Sequence, residues 1–181
     1  MFLAHLMNTG LGPFYDGLLH FFVTPEDLLP VLALAMLAGL RGPASGRAVL
    51  FVLPVAWMAG GIAGRAMAPH TVPAAAAAVL TIALGGLVAA DRDLPIAFVG
   101  ACAVALGLVH GAINGAESAK LDSGVLGNTL GVACGIFVTV SLLAALVTSL
   151  RAPAARIVVR VGGSWIAAAG LFMLGWSLRP A

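Results

Sequence analysis

Charge is what this chain has least of. Only 9% of its 181 residues are Asp, Glu, Lys or Arg, while 61% are hydrophobic; a soluble domain carries roughly 25% charged residues. A water-facing surface cannot be covered on that supply, so water-soluble folds are excluded. The chain reads as an integral membrane protein whose first partner is the lipid bilayer, with a mean hydropathy of +1.09. The formal net charge of +2 and the lack of any basic block argue against nucleic acid as a partner. Cysteine is nearly absent. Cys102 and Cys134 both lie inside apolar runs and read as small packing residues, with no disulfide framework or thiolate metal site. The opening "MFLAHLMNTG" has no basic n-region and no A-x-A site, so no signal peptide is read. Missing too are a P-loop, a dinucleotide fingerprint, G-x-S-x-G and H-E-x-x-H, which leaves ATP hydrolysis, redox cofactors and serine catalysis without support.

What is there is apolar and periodically interrupted. A spanning helix needs about 20 apolar residues. The interruptions "RGPASGR", "RAMAPH", "DRD", "NGAESAKLDS" and "RAPAAR" leave six candidate spans, at 25–40, 47–67, 72–90, 94–113, 124–149 and 157–178. Residues 11–23 form a further apolar piece, separated from the first span by Thr24, Pro25, Glu26 and Asp27. Pro25 suits a first helical turn, and Glu26 and Asp27 suit its positive end. The expectation is a single all-α domain over 1–181: a six-transmembrane-helix bundle with a short re-entrant or interfacial segment at 11–23. One long span with a polar break inside it is the alternative.

Gly127, Gly131 and Gly135 form G-x-x-x-G-x-x-x-G on the fifth span. Such a row lets helix backbones approach closely, either within the bundle or between two copies in a homo-oligomer. Gly60, Gly61 and Gly64, and the pair Gly85 and Gly86, fit the same role.

The polar residues are few enough to weigh one by one. His110, Asn114 and Glu117 share one helical face, since steps of four and seven residues return to nearly the same direction. Asp16 and His20 are also four apart, and Glu26 and Asp27 follow. The fourth span ends, and the first begins, on the same side of the membrane, so the two clusters meet there. Two imidazoles among carboxylates suit a divalent transition metal. Each residue also has a plainer role: Glu26 and Asp27 as caps in the wet interface, Asn114 as an interhelical hydrogen-bond partner, Asp91 and Asp93 as solvated loop residues beside Arg92. His5 and His70, in terminal and loop positions, are read as carrying no chemistry.

The stretch His110-Gly111-Ala112-Ile113-Asn114-Gly115-Ala116-Glu117 resembles the fourth-span motif H-G-H-A-H-G-A-E of the HupE/UreJ family. That family comprises small six-span bacterial membrane proteins found with hydrogenase and urease genes and regarded as nickel or cobalt permeases. Its first-span motif, H-P-x-x-G-x-D-H-x-x-A-M, is similar around His20, with Glu26 in place of the aspartate and Asp27 in place of the second histidine. Ala112 and Asn114 stand where the family has histidines, and Phe21 where it has proline. The resemblance implies an inner-membrane permease for a divalent transition metal (nickel, cobalt or zinc), held at the outer face by His20, Glu26, Asp27, His110, Asn114 and Glu117. Two other functions remain open: an intramembrane zinc hydrolase, in which His20, His110 and one carboxylate hold the metal, and a non-catalytic membrane subunit.

Orientation follows from Lys and Arg in the short loops. With the N-terminus outside, the inner loops hold Arg41, Arg47, Arg92, Arg151, Arg156 and Arg160 and the outer side Arg65, Lys120 and Arg179, six against three. Both termini are therefore expected on the periplasmic side. A reporter active only in the periplasm, fused at the C-terminus, is expected to be active; activity of a cytoplasmic reporter there instead would reverse the orientation.

Overall fold

The structure is a computed structural model that describes residues 9–67, 72–118 and 124–179. His5, His70 and Lys120 lie outside the described residues. Among the described residues seven helices follow in order: α1 (Pro13–Val23), α2 (Pro25–Leu40), α3 (Pro43–Gly64), α4 (Ala74–Ala90), α5 (Ile96–Ser118), α6 (Val125–Ser149) and α7 (Pro153–Ser177). The described residues contain no strand.

Four helices, α3, α5, α6 and α7, have the length and apolarity to cross a membrane. The pair α1 and α2 meets the same test jointly but is bent by 73° at its break. That makes five candidate spans when the pair is counted as one. Helix α4 is apolar but only 17 residues long, at the lower limit for a span. The expected count of six is thus matched only in part.

Proline accounts for two shifted boundaries. Pro43 and Pro153 fall in the first turns of α3 and α7, where a missing N–H leaves no bond unmade. Both helices therefore start inside stretches read above as breaks. Helix α5 likewise continues through Glu117 to Ser118, so the polar stretch after His110 is helical.

Helix α2 is the axis of the bundle. Val31, Ala33, Leu34, Ala35, Leu37 and Ala38 are completely buried, as expected for a helix apolar all round. Around it, helices pair through glycine. A Cβ on Gly60 would lie 2.6 Å from the Leu108 carbonyl oxygen, and one on Gly107 would lie 2.6 Å from the Ala56 Cβ. Gly64, Gly111 and Gly115 press still closer, onto the backbones of Ala112, Trp57 and Gly61. Helices α3 and α5 are therefore in backbone contact. The pair α4 and α7 repeats the device, with Gly85 against the Gly163 carbonyl and the Ala167 amide.

The glycine row on α6 has a more specific use. Gly124 and Gly127 abut Pro13, Gly131 abuts Phe14 and Leu18, and Gly135 abuts Phe21, so α1 lies along the first half of α6. Gly39 of α2 then meets Ala144 and Val147 near the far end of α6. The bent pair follows α6 nearly end to end, and the glycine row is filled from within the chain.

At the end of the bundle remote from His110, Arg41 closes α2 and pairs with Asp91, which Arg156 of α7 also binds at 3.1 Å. Arg160 donates to the Ala89 carbonyl at 2.9 Å. The expectation of a solvated Asp91 is corrected: it ends α4 in the left-handed region, at φ 47°, and ties three helix ends together. Asp93 does remain exposed.

Gly131→Leu is expected to destabilise the protein by about 1–3 kcal/mol or to displace α1, because the new side chain meets backbone rather than a movable side chain. Gly86→Ala, at a position open to within 4 Å, is expected to melt like the wild type in detergent. Similar melting of both variants would remove the close-packing argument.

Candidate functional site: a buried carboxylate between two histidines

The break between α1 and α2 sets the site. Thr24 has extended backbone, φ −100° and ψ 98°, and serves both as the last cap of α1 and the first of α2. Asp27 thereby falls in the first turn of the central helix. It does not cap that helix, since no side-chain cap bond is formed. Instead it points into the bundle, where it is 3% exposed.

Its two oxygens are taken by α5. His110 Nδ1 lies 3.0 Å from Asp27 Oδ1, and Asn114 Nδ2 donates to Asp27 Oδ2 at 2.8 Å. The steps of four along α5 place both side chains over the same carboxylate. With Asp27 as a carboxylate, which only accepts, the pair is made by the tautomer that carries its proton on His110 Nδ1. In the neutral ring Nε2 then holds the lone pair. That nitrogen is buried and has no hydrogen-bond partner. One face of the ring is covered by Trp57, with centroids 5.5 Å apart and planes tilted by 34°.

His20 approaches Asp27 from the other side. Its Nε2 is 3.9 Å from Asp27 Oδ2, beyond hydrogen-bond reach. Its Nδ1 lies 3.4 Å from the Thr24 hydroxyl, a long contact that keeps the ring beside the break. Asp16 does not join: it accepts from the Thr9 amide and hydroxyl at 2.6 Å each.

Of the six residues named from the sequence, four therefore converge: His20, Asp27, His110 and Asn114. Glu26 and Glu117 lie exposed, Glu26 because it is one position, about 100° of helix, from the inward-facing Asp27. Among the described residues no group of three or more His, Cys, Asp or Glu side chains is arranged to hold a metal ion. The donor set fits an ion in part only: His110 Nε2 is a free imidazole ligand, and Asp27 behind it is the carboxylate that orients a ligating histidine.

Sequence reasoning missed the parts that fix this geometry. Gly107, Gly111 and Gly115 repeat every four residues around His110, a visible spacing that seats the site helix against α3. Trp57 carried no signal, being one tryptophan in an apolar run. Thr24 was legible only as punctuation.

A family profile described as HupE / UreJ protein matches residues 1–173. The chain belongs to that family, a family of membrane proteins associated with nickel and cobalt transport. With its several apolar helices, it is a multi-pass membrane protein. No curated protein and no solved structure matches it.

Asp27→Ala and His110→Ala are expected to be non-additive. Each single change leaves a buried polar partner unpaired, so a double-mutant cycle should give a coupling of about 1–3 kcal/mol. Additive losses in chemical denaturation would mean that the pair is not formed.

Proposed function

We propose that the protein is a secondary permease for a divalent transition-metal ion of the nickel or cobalt kind, acting in the bacterial inner membrane. The observation that carries this reading is the buried imidazole of His110, whose Nε2 has no partner while Asp27 holds the opposite nitrogen. A buried polar atom left unsatisfied is rare and calls for a partner such as a water or an ion. A neutral imidazole accepts a borderline metal ion, and the adjacent carboxylate offsets the ion's charge. Four convergent residues with one ring nitrogen open suit an ion that must also leave.

The membrane topology consistent with this function counts α1 with α2 as one interrupted span and α4 as a short one, six in all, with both termini outside. Broken helices near the midplane are the usual setting for ion sites in secondary transporters. Entry from the end of the bundle that holds the α5–α6 connection brings the ion to His20, Asp27 and His110. Exit must pass the Arg41–Asp91–Arg156 cluster, whose pairing reduces the positive field that a departing cation meets. The zinc hydrolase reading is less well supported, because a catalytic zinc takes three protein ligands and no such group is assembled among the described residues.

In proteoliposomes His110→Ala is expected to abolish saturable nickel or cobalt uptake, and His70→Ala to leave it unchanged. Wild-type uptake by His110→Ala would refute the metal reading and leave the cluster as a tie between helices.

A further inference from the structure

On the outside of the bundle a groove runs between α3 and α6, at the end remote from His110. Its volume is about 390 Å³, within the roughly 300–1,000 Å³ of small-molecule sites. Gly46, Leu50, Val140, Ala144 and Ala145 make its apolar walls, and Arg47 lines it near the start of α3. From Ser141 to Ser149 it follows α6 for eight residues, about 12 Å of helix. Just beyond Leu50 and Val140, Phe51 of α3 meets Phe137 of α6, with ring centroids 6.1 Å apart. The polar atoms of the groove fall into two sets. The hydroxyls of Ser141, Thr148 and Ser149 donate to the carbonyls of Val138, Gly39 and Leu146 at 2.9, 3.2 and 2.7 Å, so their protons are committed. Arg47 is exposed and, among the described residues, has no hydrogen bond or ion pair. Arg151, two residues past Ser149, is equally exposed and unpaired there, whereas Arg41 and Arg156 at the same end are held by Asp91. No carboxylate lines the groove. The positive end of α3 and the negative end of α6 meet here and offset each other, so the two arginines set the sign of the charge.

We propose that this groove holds an anionic phospholipid of the surrounding bilayer, with one acyl chain between α3 and α6 and its phosphate against Arg47. Arg151 adds to the field that the headgroup meets. The occupant follows from complementarity along the groove, which is apolar over its inner length and cationic where the helices end. Basic pockets between spanning helices are recurrent headgroup sites. A water-soluble anion would answer Arg47 but leave the apolar length uncovered. A second copy of the chain on the same groove would bring four unpaired arginines to one interface, with no carboxylate in the groove to answer them. The inference does not depend on the transport reading.

The test separates charge from shape. Purified protein in detergent is titrated with phosphatidylglycerol and with phosphatidylcholine of the same chains, and bound lipid is counted by native mass spectrometry. The wild type is expected to retain phosphatidylglycerol in preference to phosphatidylcholine. Arg47→Gln should weaken phosphatidylglycerol binding about fivefold, the effect of one cation beside an anionic headgroup, and leave phosphatidylcholine unchanged. Arg47→Lys, which keeps the charge, should bind like the wild type. Ala145→Phe, at an exposed position, fills the groove and should weaken both lipids; if it fails to fold, the exposed and unpaired Arg47 still carries the test. Arg92→Gln removes an exposed cation outside the groove and should retain phosphatidylglycerol like the wild type. Equal retention of the two lipids by the wild type would overturn the site. Equal losses from Arg47→Gln and Arg92→Gln would do the same, by showing a diffuse surface field. Competition by glycerol phosphate as strong as by the whole lipid would replace the phospholipid with a soluble anion. A dimer that Ala145→Phe dissociates would replace it with a second copy.

Discussion

A carboxylate inside an apolar bundle has to be answered by other groups, and Asp27 is the residue around which this bundle is organised. By insertion scales, an ionised group at the centre of a membrane helix costs about 3 kcal/mol. Here both its oxygens are met by α5, through His110 and Asn114. That requirement fixes the rotation of α5 about its own axis and its register against α2. It also bears on the break between α1 and α2. An unbroken helix from Pro13 to Leu40 would carry His20 and Asp27 at fixed positions on one rod; the 73° bend at Thr24 brings α1 onto α6 and leaves α2 free to run through the centre.

Glycine supplies the second condition. Side chains on α5 reach Asp27 only if α5 lies close to α2's neighbour α3, and the rows Gly107, Gly111, Gly115 and Gly60, Gly64 remove the side-chain layer between them. In lipid there is little hydrophobic gain in joining two apolar helices, so close van der Waals contact is what holds them. The polar pair and the glycine rows are therefore coupled: the first needs the distance that the second provides.

Much of this was legible in the residues. Apolar length and punctuation marked every helix, because a backbone in lipid must satisfy itself by helix formation. The stripe of His110 and Asn114 was visible from spacing, and the family motif from its letters. The partition of the acidic residues was not. Glu26 and Asp27 are adjacent and chemically alike, and only the direction of the first turn of α2 decides that Asp27 enters the bundle while Glu26 stays outside. Asp91 was misread for a related reason: a loop between two short-spaced helices looks solvated, whereas its partners, Arg41 and Arg156, come from 50 and 65 positions away. Long-range pairing of single charges leaves no periodic trace in a sequence.

The α3–α5 and α4–α7 contacts carry a mechanical consequence. Where two helices touch through side chains, rotamer changes let one slide past the other. Where their backbones touch, no such compliant layer exists, and each pair behaves as a stiff plank. Freedom to rearrange is then left to the surfaces between planks and to the 73° bend at Thr24.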